Sequence, residues 1–360
     1  MLKVHNGPVH SPINTAMSRA LNKHIIAALK QGDHEQIFND ISGLFAQPQD
    51  DGVLEVEILG QGHPMGPDEN FLRDENAVAI PKLRIVQAFL FARKILQKYQ
   101  ANGSEGREQL MAATSVLLLM DPEHLTAANT RKRLLSDAIS TGDTVKAYLA
   151  REKWFVDSLL TSRLHRHTKS PTLWNHRRWL SERYRDAGLP VLVQQDIETV
   201  AMMAGERHPR NYYAWTHARW LTKTFLVVSE LDVLVSLIQS AKKWSFRHHS
   251  DISGWSFLAH LLDRLGKDDR GTVSLVYNET LDLVESLRWY NESVWSFLRT
   301  IASWPVLEQI DRGRFVSVQE CLVATSAKNS IEAAALRKAR TWWDVYGSND
   351  EAACTEDQLT

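Results

Sequence analysis

The residues of this 360-residue chain with the most chemical reach are paired histidines and a block of cations. His165 and His167 flank Arg166, and His248 and His249 are adjacent. Imidazole carries protons near neutral pH and ligates metals. A zinc site needs three or four Cys, His or carboxylate ligands at workable spacing. Neither histidine pair has a third candidate ligand, and no Cys-x-x-Cys or His-x-x-x-His with neighbouring carboxylates occurs. The expectation is hydrogen-bonded or solvated histidines, with no metal and no cofactor on this chain.

Residues 151–185 hold nine Lys or Arg (Arg151, Lys153, Arg163, Arg166, Lys169, Arg177, Arg178, Arg183, Arg185) against three acids, Glu152, Asp157 and Glu182. The chain as a whole carries a net charge of −1. Such a local excess reads either as a solvated helix face with intersubunit salt bridges or as a patch facing an anionic group or an acidic partner.

These residues must be positioned by helices that repeat. Trp174, Trp215, Trp255 and Trp295 recur at intervals of 41, 40 and 40 residues. A period of this size marks a stack of like units. The residue four before each Trp is Ser170, Asn211, Asp251 or Asn291, all good helix N-caps. Pro171 follows Ser170 at the first helical position, where its missing N–H costs nothing. Each motif therefore opens a helix with a Trp in its second turn. Partner helices are expected near 143–166, 190–206, 229–246 and 269–288, and a last pair at 312–325 and 330–346. Ala128 stands in the Trp place of a degenerate repeat, 46 residues before Trp174. A single hairpin cannot bury its apolar face, so stacking makes the core. The four Trp are read mainly as packing residues, and Trp179 and Trp220 as lying on a neighbouring face, against an adjacent hairpin or a partner.

The fold class is all-α, a solenoid of helical hairpins with a TPR-like crescent. Residues 1–82 read as an N-terminal helical and irregular extension: one or two amphipathic helices over 13–45, then a long loop with at most one short strand near 53–59. Residues 83–346 read as the solenoid and 347–360 as a frayed, disordered tail. Near-neutral net charge gives no global field toward nucleic acid. No apolar run approaches the roughly 18 residues of a membrane span. Two distant cysteines, Cys321 and Cys354, fit a reducing, cytoplasmic setting.

The frame Asn211-Tyr212-Tyr213-Ala214-Trp215-Thr216-His217, the run Ser170 to Trp179 and the run Asn291-Glu292-Ser293-Val294-Trp295 resemble, in that order, the repeats of protein prenyltransferase α subunits. The resemblance covers roughly 105–305. Val116 to Pro122, His249 to Gly254 and Glu57 to Gly60 are most similar to a divergent, repeat-containing branch of that family. The resemblance implies a right-handed α–α superhelix that wraps a separate β subunit. In such heterodimers the β subunit holds zinc and the isoprenoid cavity, and protein substrates end in a cysteine. For the divergent branch it implies pairing with a geranylgeranyltransferase β subunit.

It also implies site residues. Lys169 matches the lysine before an early motif that points to the isoprenoid diphosphate, although Pro171 replaces the tyrosine that accompanies it. Tyr212 keeps a phenol at the equivalent place in the next repeat. Trp174, His176, Arg177, Trp215, His217, Trp255 and Trp295 are the repeat and interface residues. The repeat arginine is kept at Arg177 and lost at Ala218, Leu258 and Leu298, with Arg219 one position along. Two functions follow: the non-zinc subunit of a geranylgeranyl-type transferase, or a non-enzymatic helical-repeat adaptor that kept the fold without the chemistry.

Overall fold

The computed structural model of the chain describes residues 27, 29, 31–46, 52–60, 63, 65–66, 69–103, 105–140, 145–227, 230–266, 268–327 and 330–346. The expected tail, 347–360, and the helix residues Ile25 and Ile26 lie outside them.

The N-terminal part opens with α1, His34–Gly43, capped by Asp33. Three strands follow: β1 (Glu55–Leu59), β2 (Leu72–Asp74) and β3 (Ala77–Pro81). The expectation of a long loop with one strand is corrected here. β3 lies in the middle, parallel to β1 and antiparallel to β2. Val56, Val78 and Ile80 alternate inward and are fully buried. The sheet is tied to the solenoid by Leu54 N–H donating to Ser158 Oγ at 3.0 Å and the Trp154 indole donating to the Gly52 carbonyl at 2.7 Å.

From Lys82 onward the described chain is helical: α2 (Lys82–Asn102), α3 (Arg107–Met120), α4 (Leu125–Ser140), α5 (Val145–Leu160) and a short α6 (His165–Thr168). The first helix to carry a motif Trp is α7, Pro171–Asp186. Its partner is interrupted: α8 (Val193–Asp196) and α9 (Met202–Arg207) flank a π-turn at Ile197–Ala201. Next come α10 (Tyr212–Phe225), α11 (Leu231–Arg247), α12 (Ile252–Leu265), α13 (Arg270–Leu287) and α14 (Glu292–Ala302). The last pair is α15, Gln309–Thr325, and α16, Ile331–Tyr346. Motif helices α7, α10, α12 and α14 pack in sequence, and α16 continues the row against α14, as the all-α helical-repeat reading requires.

Three of the four expected caps form. Ser170 Oγ accepts from Leu173 N–H, Asn211 Oδ1 from Ala214 N–H, and Asp251 Oδ1 from Ser253 and Gly254 N–H. Asn291 makes no cap bond, a correction: its amide oxygen lies 3.1 Å from His249 Nδ1 in the preceding repeat. Glu292 places negative charge in the first turn of α14 instead. The forming caps also bind backward. Asn211 Nδ2 donates to the Thr168 carbonyl at 2.8 Å, and Asp251 Oδ2 accepts from Arg210 N–H at 2.6 Å. One polar side chain thus opens its own helix and fixes its register against the preceding repeat.

The core follows the same register. The indole of each of the first three motif Trp packs on the ring two residues after the next motif Trp. Trp174 meets His217 at 5.2 Å, Trp215 meets Phe257 at 5.2 Å, and Trp255 meets Phe297 at 4.9 Å. All four motif Trp are buried. Trp215 also packs on Trp244 at 4.8 Å, and Trp244 lies against Gly254, where a Cβ has no room.

Candidate functional site

Two groups of residues carry chemistry, one inside the stack and one along its edge. The inner group joins α4, α5, α7 and α8. Arg131 forms a bidentate pair with Glu152, Nε to Oε1 at 2.8 Å and Nη2 to Oε2 at 2.6 Å. Its remaining nitrogen donates to the Met111 carbonyl, and the guanidinium lies 4.0 Å from the Phe155 ring centre. His176 Nε2 lies 3.1 Å from Glu152 Oε1. Arg177 sits between Asp157 and Asp196, at 2.6 and 2.8 Å, and Lys153 reaches the same two carboxylates at 3.0 Å each.

Each charge is set by its neighbours. Burial raises the Glu152 carboxyl, but Arg131 and His176 overcome it and hold it down to about 2. Burial also lowers Arg177, and Asp157 and Asp196 more than restore it. Burial pushes His176 below its usual range and His217 down to about 3, so both are neutral at pH 7. Two cations against two anions make the Lys153–Asp157–Arg177–Asp196 cluster neutral. Its chemistry is structural: it locks α7 to α5 and to the start of the π-turn.

Most of the basic block is answered within the chain, much of it by ion pairs on a solvated face. The pairing acids come mostly from outside 151–185: Glu108 for Arg151, Asp121 for Arg166, Glu55 for Arg163 and Asp196 for Arg177 and Lys153. Arg178 has Glu182, and Arg183 and Arg185 share Asp186. Lys169 is the member of the block that takes no carboxylate among the described residues.

Lys169 belongs to the second group, on the edge where the motif helices begin. Its Nζ donates to the Pro209 carbonyl at 3.1 Å. His208 stands beside it, its ring 5.1 Å from that of His165, and burial, His165 and Lys169 all lower the His208 imidazole. Arg210 is held in the left-handed region at φ 57°. Tyr212 follows, 66% exposed, with Tyr213 39% exposed and the two rings 5.9 Å apart. The edge thus gathers an ammonium, a guanidinium and two accessible phenols at the entry to α10. Such donors suit an anion.

The predicted site residues divide between these places. Lys169 and Tyr212 are on the edge. Trp174, His176, Arg177, Trp215, His217, Trp255 and Trp295 are buried within the chain, holding repeat to repeat. Glu152, Asp157 and Asp196 were missed as their partners, because they sit on helices outside the periodic motif. Tyr213 was missed beside Tyr212. Among the described residues no three His, Cys, Asp or Glu side chains form a metal-ligand group. His167 instead lies 3.1 and 2.9 Å from the Leu118 and Leu119 carbonyls, and His248 stacks on Trp244. No described helix is long and apolar enough to cross a membrane.

Residues 173–286, from the first motif helix to the end of α13, match the family model of the ECM9 middle domain. The chain is also similar to two curated proteins called protein prenyltransferase alpha subunit repeat-containing protein 1. The zebrafish protein (Danio rerio) is 32% identical over 181 residues, 45% of this chain and 39% of that protein. The human protein (Homo sapiens) is 30% identical over 177 residues, 44% of this chain and 41% of that protein. The chain spans about two fifths of the length of these relatives. The resemblance carried by the Trp repeats is thus to prenyltransferase α-subunit repeat proteins.

Proposed function

We propose that this chain is the α subunit of a heterodimeric protein prenyltransferase, most similar to a geranylgeranyl type, whose zinc and isoprenoid sites lie on a β subunit. The observation that supports it is the edge at the motif-helix N-termini. The side chains of Lys169, Arg210 and Tyr212 stand there with no ion pair to a carboxylate among the described residues, in a chain similar to relatives named for prenyltransferase α-subunit repeats. Zinc on the partner supplies an activated substrate thiolate. The C-terminal cysteine sulfur of the acceptor bonds to the isoprenoid C1 as the C–O bond to diphosphate breaks. Negative charge grows on that leaving group, and donors already in place stabilise it. This chain's part is to bind the β subunit and to present Lys169 and Tyr212 toward the diphosphate.

A second reading, a repeat adaptor without transfer chemistry, is favoured by one observation. Lys169 is engaged by the Pro209 carbonyl, and Pro171 offers no donor beside it. Co-expression with a geranylgeranyltransferase β subunit separates the two. The first reading expects a one-to-one complex with zinc in the complex and none on the lone chain. Tight zinc on the lone chain, or stable assembly only with some unrelated protein, overturns it.

A further inference from the structure

Many cations of the solenoid pair with acids, but three that do not stand together where α10 meets α12. Arg219 and Lys223 of α10 and Arg264 of α12 take no carboxylate among the described residues. Arg219 donates to Ser256 Oγ at 2.7 Å, and Arg264 to the Leu226 carbonyl at 3.0 Å. Both guanidinium groups are therefore held in place before any ligand arrives. Tyr212, Arg219 and Lys223 are spaced by seven and four residues, which puts them on one stripe of α10. His260, on the facing turn of α12, shows the sign of the field. Burial, Arg219, Lys223 and Arg264 all push its imidazole down, to about 4, and no acid opposes them.

The neighbouring repeat differs. There Lys132 and Arg178 share Glu182, at the place in α7 that Lys223 occupies in α10. The stripe is bordered by half-buried aromatics: Trp220 packs on Phe225 at 5.2 Å and carries Arg178 over its face at 4.5 Å. Ordered arginines beside tryptophan are the composition of a protein-binding hot spot. A chain with net charge −1 that leaves three cations unanswered on one face is built for an acidic partner there.

We infer that the stripe of α10 and α12 bearing Arg219, Lys223 and Arg264 is the docking face for an acidic segment of the partner subunit. It is continuous with Tyr212, so it also orients that subunit toward the motif-helix edge. The inference rests on the pairing proposed above, and its test is arranged to fail separately. The affinity of the full chain for a geranylgeranyltransferase β subunit is measured for wild type, Arg219→Glu/Lys223→Glu/Arg264→Glu and the matching Gln triple. Arg93→Glu/Lys94→Glu serves as a remote control, and melting curves establish folding.

The stripe predicts binding weaker by about tenfold or more for the Glu triple, less for the Gln triple, and a steep loss with added salt. Unchanged affinity in a folded Glu or Gln triple overturns the stripe and leaves the pairing standing. No binding by wild type overturns the pairing. In that case a fluorescein-labelled polyglutamate peptide decides the stripe: binding lost in the triples supports it, and no binding overturns it. Tighter binding of a DNA duplex than of the peptide also overturns it.

Discussion

The Lys169 ammonium donates to the carbonyl oxygen of Pro209 at 3.1 Å, bridging two successive repeats. In the other repeats the carbonyl six residues before the motif Trp accepts that Trp's own indole N–H: Thr168 for Trp174, His249 for Trp255 and Trp289 for Trp295. The Trp215 indole N–H has no partner among the described residues, and Lys169 holds the acceptor that would match. The lysine matched to diphosphate binding therefore also marks the one repeat where the Trp pattern breaks.

Lys169→Ala tests which role dominates. The bond is exposed, so the expected loss of stability is about 1 kcal/mol or less. In an assembled heterodimer the single-turnover rate is expected to fall by about 10² or somewhat less, below the usual cost of losing such a donor, because Pro171 leaves it alone. Subunit affinity stays unchanged, and Lys169→Arg recovers part of the rate. A normal rate in Lys169→Ala removes Lys169 from the site.

Arg177→Ala leaves Asp157 and Asp196 buried with Lys153 alone. The expected loss is about 3–5 kcal/mol, the usual cost of breaking a buried pair from one side. Chemical denaturation measures it. A loss below about 1 kcal/mol, within the range of surface pairs, contradicts a buried locking role.

How much of this was legible in the sequence differs from one feature to the next. The Trp helices and three of the caps were readable because their determinants are local: a Trp in the second turn, an oxygen-bearing side chain four residues earlier. The Arg177 cluster was not, because Asp157 and Asp196 sit on helices outside the periodic motif and meet it only after stacking. The strand near 53–59 was readable and is β1, whereas β2 and β3 were hidden by their length and by the parallel pairing of β3 with β1 across an intervening segment. Arg210 in the left-handed region gave no sign, since such a position ordinarily asks for Gly. Lys169 and Tyr212 were singled out by resemblance, but Lys169's acceptor depends on that turn.

Gly254→Ala places a methyl group against the six-membered ring edge of Trp244, far inside van der Waals contact. Overpacking of this kind costs about 1–3 kcal/mol, and a lowered melting midpoint is expected. If the two sites were uncoupled, Gly254→Ala/Trp244→Leu, in which the obstructing ring edge is gone, would lose the sum of the two single losses. The account predicts that the pair is coupled, with the double variant more stable than the sum of single losses. Strict additivity contradicts it.

Acid should destabilise the chain through its buried imidazoles. Burial, with Arg177 adding to it, takes His217 down to about 3, and burial takes His167 and His260 to about 4, from 6.5 in the open chain. Protonation therefore favours the unfolded state. Stability is full above about pH 6.5 and declines as pH falls toward 4 and 3. Glu152, held at about 2 rather than 4.5, adds a further loss below pH 4.5. Melting midpoints from pH 7 to 4 should fall, and His217→Gln should flatten the fall. An acid limb of unchanged slope in that variant contradicts neutral burial of His217.

The most direct test of the proposed function is a single-turnover transfer assay. The purified chain, a geranylgeranyltransferase β subunit, geranylgeranyl diphosphate and an acceptor protein ending in a cysteine are combined, and each subunit is also assayed alone. The account predicts geranylgeranyl on the acceptor cysteine only when both subunits are present, with a stoichiometric complex in the same sample. A complex that forms fully and transfers nothing to any acceptor tried contradicts the α-subunit reading and leaves the repeat adaptor.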